Sequence, residues 1–178
     1  VNEPLAHAKS NWRVVAAISV GNALEWFDFV LFGYFAIAIA KQFFPPDDSA
    51  PSLLMSLAVF GAAFVMRPLG AIVVGYYADR VGRKPALTLT ITLMMVGTAL
   101  IACAPPYEVV GAPAPFVIVA GRLLQGFSAG GEFGSATALL AEQHPSHRGF
   151  FASWQFASQA ISVVLATSFG AALATVLD

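Results

Sequence analysis

Charged residues and cysteine are scarce in this 178-residue sequence. Asp, Glu, Lys and Arg make up 11% of it, whereas soluble domains carry about 25%. So few charges cannot cover the surface of a water-soluble globule, which disfavours a cytosolic enzyme. Nine basic and ten acidic residues leave no basic surplus, which argues against nucleic acid as a partner. The lone Cys103 excludes an intrachain disulfide and a thiolate metal cluster.

Apolar residues make up 58% of the sequence and are concentrated in five long segments. Each segment has 18 or more residues, enough for a helix rising about 1.5 Å per residue to cross roughly 30 Å of hydrocarbon. The links between them are short and rich in proline or charge. The sequence therefore predicts an all-α, polytopic helix bundle in a lipid bilayer, with spans over residues 14–40, 53–78, 86–103, 116–141 and 150–177.

The basic residues outside these segments are distributed unevenly. Six fall on one side of the predicted membrane: Lys9, Arg13, Arg80, Arg83, Lys84 and Arg148. The other side has one basic residue and three acids: Lys41, Asp47, Asp48 and Glu108. Because cytoplasmic loops are enriched in Lys and Arg, this distribution predicts a multi-pass protein with a cytoplasmic N-terminus.

Five spans is an unusual number for a transporter. Many transporters are built from triplets of helices in inverted pairs, with six helices in each half. The sequence stops at the fifth segment and begins with Val1 rather than Met. We therefore expect a piece of a longer transporter whose C-terminal half is absent; a complete five-helix protein is the alternative.

Five ionisable residues lie inside the predicted spans: Glu25, Asp28, Arg67, Arg122 and Glu132. Each costs about 2.5–3.5 kcal/mol near the bilayer centre on insertion scales. Five such groups cannot face lipid together. We expect them to face the bundle interior, to pair with one another or to line a wet cavity.

Polar residues on three spans lie at depths that allow them to meet. Arg67 is near the middle of the second span. Three residues share a face of the first span: Asn22, Glu25 and Asp28. The fourth span carries a similar series: Arg122, Gln125, Ser128 and Glu132. We expect these groups to converge near the midplane, where transporters place their sites.

This set of residues has two interpretations. In the functional one, the guanidinium groups grip an anionic substrate in a bidentate fork, and the carboxylates bind protons. In the structural one, the charges only pair with one another, for example Glu25 or Asp28 with Arg67.

Three further patterns concern helix packing. A small-residue stripe on the fourth span predicts close helix contact: Gly126, Gly130, Gly134 and Ala138. Pro68 predicts a kink in the second span. A polar patch on the fifth span suits either a cavity wall or interhelical hydrogen bonds: Gln155, Ser158 and Gln159.

The link between the second and third spans reads GYYADRVGRKP. Asp79 lies at the C-terminal end of a helix, which is unfavourable for an acid, so it requires a cation or another helix N-terminus nearby. Gly82 permits a sharp turn. This link resembles the loop motif of the major facilitator superfamily at six positions: Gly75, Asp79, Arg80, Gly82, Arg83 and Lys84.

The resemblance extends along most of the chain. RLLQGFSAGGEFGSATALLAEQHPSHRG resembles the fourth-helix motif of that superfamily, and GNALEWFDFVLFGYFA and VFGAAFVMRPLGA are similar to its metabolite–proton symporter family. Within that family, LEWFDF, GRLLQGFSAG and GFFASWQ resemble citrate–proton symporters. The sequence departs from the citrate pattern at Trp26 and in the run GGEFGS, so the substrate stays open.

The resemblance implies a fold and roles for particular residues. Residues 1–178 would form the N-terminal transmembrane bundle, five helices of a six-helix half, and two such halves would rock about a central site. Arg122 would take part in proton coupling. A cytoplasmic charge cluster would latch the outward-open state: Asp79, Arg83, Glu142 and Arg148. The remaining polar positions of the site would be Asn22, Glu25, Asp28, Arg67, Gln125 and Glu132.

The expected function is proton-coupled symport of a small organic acid, citrate or a related di- or tricarboxylate, by alternating access in a plasma membrane, the inner membrane of a bacterium. No cofactor is expected, with the proton as coupling ion. Alternatives are symport of 2-oxoglutarate or proline/betaine, a passive facilitator, and a non-transporting subunit or sensor.

A membrane-embedded hydrolase is disfavoured, since GxGD and HExxH motifs are absent. His144, His147 and Glu142 leave a weak suggestion of a metal in one short loop, although no metal site is expected.

Overall fold

A computed structural model describes residues 12–45 and 49–177, and Lys9, Asp47 and Asp48 lie outside these ranges. The described residues form helices and no strand, which confirms the all-α expectation. A 3₁₀ turn over Pro145–His147 precedes the last helix. The helices are α1 (Trp12–Tyr34), α2 (Ala36–Phe43), α3 (Ser49–Val81), α4 (Arg83–Ala102), α5 (Tyr107–Val110), α6 (Pro113–Glu142) and α7 (Arg148–Leu177).

The first predicted span, residues 14–40, is divided between α1 and α2 at Phe35. The break is small, because the Phe35 N–H still donates to the Leu31 carbonyl at 3.0 Å and the Phe35 carbonyl accepts from Ile39 at 2.9 Å. The other four spans each correspond to one helix: α3, α4, α6 and α7. Helix α3 continues through Pro68 without interruption.

Four of the described helices are long and apolar enough to cross a membrane: α1, α3, α4 and α7. Helix α6 is not among them, although it has 30 residues. Its lower apolar content agrees with its position in the bundle, because α3, α4 and α7 all pack against it. A helix surrounded by protein can carry glycines and polar groups that lipid would not tolerate.

The links between the long helices lie at the two ends of the bundle. The rings of Trp12 and Trp154 are 5.9 Å apart and those of Phe27 and Phe169 are 6.0 Å apart, so α1 and α7 run in the same direction. Helices α3 and α6 also run parallel. The start of α1, the α3–α4 link and the α6–α7 link therefore share one end of the bundle.

Apolar clusters close the two ends of the bundle and leave a polar layer between them. At the end that holds the start of α1, Val15 and Ile18 pack against α6 and α7. At the other end, Phe32 packs with α2, α3 and α6. Glu25 lies between these layers on α1, about two turns from Ile18 and from Phe32, and Asp28 lies about one turn nearer to Phe32.

Glycines on α6 allow its backbone to touch that of α3. A Cβ added to Gly126 would collide with the backbone of Ala63, and one added to Gly130 would collide with the backbone of Arg67. Gly134 has no such neighbour within 4 Å. The predicted small-residue stripe thus acts as a packing surface at its first two glycines and not at the third.

We expect Gly130→Ala to separate α3 from α6, because the colliding atoms belong to a backbone that cannot rotate away. The cost should be about 1–3 kcal/mol, as for other overpacked sites. Gly134→Ala is the matched control and should change stability by no more than about 1 kcal/mol, the difference in helix propensity. Thermal unfolding of the purified protein in detergent compares the two; equal midpoints would contradict the close contact.

Candidate functional site

The five ionisable residues of the spans lie in the polar layer on α1, α3 and α6. Glu25, Arg122 and Glu132 are buried, with 6%, 1% and 5% of their surface exposed. The side chains of Arg67 and Asp28 are partly exposed. The structure thus places each of the five in a buried position or on the wall of a cavity.

Arg122 and Asp28 form the tighter of two ion pairs in this layer. The Arg122 Nη1 donates to Asp28 Oδ2 at 3.0 Å. The guanidinium carbon also lies 3.6 Å from the centroid of the Phe32 ring. A charge-assisted hydrogen bond and a stacked ring therefore hold the cation of α6 against α1.

Arg67 and Glu25 form the looser pair. Their closest atoms, Nη2 and Oε1, are 3.7 Å apart, which is too long for a hydrogen bond. The Arg67 guanidinium lies over the rings of Trp26, Phe29 and Phe64, at 5.2, 4.5 and 4.5 Å. Its Nε and Nη2 have no hydrogen-bond partner in the described structure. Aromatic faces thus hold this cation while two of its nitrogens remain unused.

The phenylalanines around the arginines are site residues that the sequence reasoning missed. Phe29 lies near both cations, 4.5 Å from the Arg67 guanidinium and 5.6 Å from that of Arg122. The spacing along the sequence could have indicated these residues, because Phe29 follows Glu25 by four residues and Phe32 follows Asp28 by four. Residues four apart share a helix face, so each acid of α1 has an aromatic neighbour on its own face.

Asn22 connects α1 to α7. Its Nδ2 donates to the Gln155 carbonyl at 2.9 Å and to Ser158 Oγ at 2.7 Å, and Ser162 Oγ donates to the Ala23 carbonyl. Gln159 Nε2 donates to Asn22 Oδ1 at 3.4 Å. The polar patch of the fifth span is therefore used in interhelical hydrogen bonds.

Gln125 is directed toward α4 rather than toward the arginines. Its Nε2 donates to Thr98 Oγ1 at 2.9 Å, and Ser128 on the same helix donates to the Thr90 carbonyl at 2.5 Å. These bonds tie α6 to α4. The structure therefore separates Gln125 from the two ion pairs with which the sequence grouped it.

Two cavities flank Glu25. The smaller, about 260 Å³, lies between α1, α3 and α6 and is bordered by Asn22, Glu25 and Arg67. The larger, about 520 Å³, lies between α1, α4 and α6 and is bordered by Glu25, Asp28 and Glu132. Five of the predicted site residues thus border these cavities, with Glu25 on both, whereas Arg122 and Gln125 border neither.

The residues of the loop motif lie at the end of α3 and the start of α4. Asp79 Oδ1 is 3.2 Å from Arg83 Nη2, which supplies the cation that this helix end requires. Gly82 adopts φ +108°, a conformation that L side chains rarely take. Arg80 lies over the Tyr76 ring at 4.3 Å, while Lys84 is exposed and Gly75 is partly buried.

The α6–α7 link lies at the same end of the bundle as the loop motif. Glu142 and Arg148 are both exposed and make no ion pair with any residue that the structure describes. The structure thus contains the Asp79–Arg83 part of the expected charge cluster, and the part formed by Glu142 and Arg148 stays a prediction.

The two histidines of that link contact each other, with their Nδ1 atoms 3.1 Å apart. Within residues 12–45 and 49–177, no group of three His, Cys, Asp or Glu side chains could hold a metal ion together. Glu142 therefore does not complete a metal site with His144 and His147.

Comparison with known proteins agrees with this architecture. The chain is 48% identical to a citrate–proton symporter of Klebsiella pneumoniae over 165 residues, which are 92% of this chain and 37% of that protein. It is 45% identical to a citrate–proton symporter of Salmonella typhi over 171 residues, 96% of this chain and 39% of that protein. A proline/betaine transporter of Escherichia coli (strain K12) is 40% identical over 143 residues, 80% of this chain and 29% of that protein.

The chain thus spans about two fifths of the length of these citrate–proton symporters. No solved structure matches it. Apolar helices able to cross a membrane and membrane-transporter relatives together indicate a multi-pass membrane protein. The sequence model of the family described as "Sugar (and other) transporter" matches residues 14–178. The chain therefore belongs to this family of the major facilitator superfamily, and its resemblance to citrate–proton symporters is confirmed.

Proposed function

We propose that the complete gene product is a secondary active transporter that carries a small organic acid, citrate or a related di- or tricarboxylate, together with protons by alternating access. The observation that carries the proposal is the pair of arginines in the polar layer. Each is stacked on aromatic rings and each faces a carboxylate of α1. Similarity to two citrate–proton symporters supports the choice of substrate and coupling ion.

Arg67 is the residue that receives a carboxylate of the substrate. It borders the smaller cavity, and its Nε and Nη2 are without hydrogen bonds. A planar guanidinium can donate two parallel bonds to one carboxylate, and the rings of Phe29 and Phe64 fix its plane. The anion would displace Glu25 without breaking a hydrogen bond, because the closest atoms of Arg67 and Glu25 are 3.7 Å apart.

Asp28 and Arg122 form the proton-coupling pair. A proton on Asp28 removes its charge and weakens a charge-assisted bond to an ordinary one. Asp28 borders the larger cavity and 29% of its side chain is exposed, so a proton can reach it from water. The pair joins α1 to α6, and its weakening would favour a different arrangement of these helices. Coupling follows if proton and substrate both bind one state better than the other.

The protein would lie in the inner membrane of a bacterium with its N-terminus in the cytoplasm. Five of the basic residues share the end of the bundle at which α1 begins: Arg13, Arg80, Arg83, Lys84 and Arg148. Lys41, on α2, lies at the other end. Such an excess of positive charge marks the cytoplasmic side. We expect Glu142 and Arg148 to join Asp79 and Arg83 when the cytoplasmic end closes.

Asp28→Asn should abolish accumulation of substrate against its gradient, because the variant cannot exchange a proton at this position. Arg122→Gln should do the same, since Asp28 then lacks its partner. The measurement is uptake of labelled citrate into proteoliposomes of the complete gene product under an imposed proton gradient. Exposed Glu108→Gln is the control and should accumulate citrate as the parent does. Full accumulation by both site variants would refute the coupling role, and a parent that only equilibrates citrate would be a passive facilitator.

Arg67→Lys keeps the charge but loses the bidentate fork and the flat stacking surface. A charge-assisted hydrogen bond contributes about 1.5–3 kcal/mol, so we expect KM for citrate to rise roughly 10- to 100-fold, while uptake still responds to the proton gradient. Arg13→Lys is the matched control. An unchanged KM in Arg67→Lys would show that the anion binds elsewhere. Competition by 2-oxoglutarate, proline and betaine in the same assay ranks the alternative substrates.

A further inference from the structure

Among the residues that the structure describes, the lining of the larger cavity includes acids but no Lys or Arg. Helix α1 contributes Glu25 and Asp28 to it, and α6 contributes Glu132. The residues that α4 contributes, such as Met94, Met95 and Thr98, carry no ionisable group. This cavity therefore collects three carboxyl groups on otherwise mostly apolar walls.

The two cations near these acids are already engaged. Arg122, from α6, donates to Asp28 at 3.0 Å. Arg67, from α3, lies 3.7 Å from Glu25. No other charged side chain of the described helices forms an ion pair in this layer. Three acids thus face two guanidinium groups, and one negative charge would remain unbalanced if all three acids were ionised.

Within residues 12–45 and 49–177, Glu132 is the acid of this layer that has no partner. It is 5% exposed, and it makes no hydrogen bond or ion pair with any part of the chain that the structure describes. Its Oε1 lies 3.8 Å from the position that a Cβ on Gly21 would take. A buried carboxylate without a counter-charge or hydrogen bonds is strongly disfavoured, and such a group is retained as the neutral acid.

We infer that Glu132 holds a bound proton in this conformation, and that Glu132 and Glu25 form a second proton site on the wall of the larger cavity, distinct from the Asp28–Arg122 pair. The inference rests on the proposed function only for its use in transport. The charge balance itself requires no substrate and no gradient.

Glu25 connects this site to the substrate. It borders both cavities, and Arg67 is its ion-pair partner. When a carboxylate of the substrate takes Arg67, Glu25 loses its counter-charge in the same way as Glu132. A proton from water in the larger cavity then binds a Glu25 carboxylate oxygen. Binding of the anion thus increases by one the number of protons that the bundle carries.

Infrared difference spectroscopy of the complete gene product in lipid, at neutral pH and without substrate, tests this inference through the C=O band of protonated carboxyl groups. The spectrum of the parent minus that of Glu132→Gln should contain a positive band from one protonated carboxyl group, which the variant lacks. Arg67→Gln minus the parent should show the gain of one, because Glu25 then has no cation. Exposed Glu108→Gln should leave the band unchanged.

An unchanged band in either Glu132→Gln or Arg67→Gln would overturn the inference. The expected gain in Arg67→Gln separates it from a folding defect, because unfolding exposes carboxyl groups to water and ionises them. The outcome is also independent of the uptake assays: a protein that fails to accumulate citrate would refute the proposed function, whereas the infrared band reports the proton on Glu132 in either case.

Discussion

The cost of burying charge is the constraint on which this bundle depends. Helices α3 and α4 pack mainly on α6, while α1 packs mainly on α7. Close packing between these two groups is limited to the α6–α7 contact and a few residues of α1. The ion pairs cross this boundary, since Asp28 reaches Arg122 on α6 and Glu25 reaches Arg67 on α3. In an apolar medium neither partner can be released without compensation, so the two ion pairs hold the two groups of helices together.

Helix α6 meets this constraint by packing against α3, α4 and α7. Its glycines allow the α3 backbone to approach at Ala63 and Arg67, and its hydroxyl and amide groups bond to α4 through Thr90 and Thr98. The resulting helix is too polar to count as a membrane span by hydropathy, while it carries Arg122, the most deeply buried cation among the described residues. Low hydropathy here marks a central helix rather than a peripheral one.

The fold could be predicted from the sequence because segment length and apolarity determine where helices form. The break at Phe35 could not, because the apolar run continues through it. For the site, periodicity indicates which residues share a helix face but not which neighbour that face meets. The spacing therefore grouped Gln125 with Arg122, although only Arg122 turns toward α1. For the same reason the sequence predicts either Glu25 or Asp28 as the partner of Arg67, without deciding between them. It does not predict the pairing of Asp28 with Arg122, which lies 94 residues away along the chain.

The two ion pairs differ in a way that suits different tasks. The Asp28–Arg122 bond is short, and its cation is buried, with the Phe32 ring 3.6 Å away. A competing anion would have to break a charge-assisted hydrogen bond, whereas a proton needs only to reach Asp28. The Glu25–Arg67 contact is longer, and its cation is held by rings instead of by the acid. In the proposed function, an incoming carboxylate would therefore replace Glu25 without loss of a hydrogen bond to Arg67. Both pairs are anchored on α1, one turn apart. Under the proposed function, the proton and the anion would therefore act on the same helix.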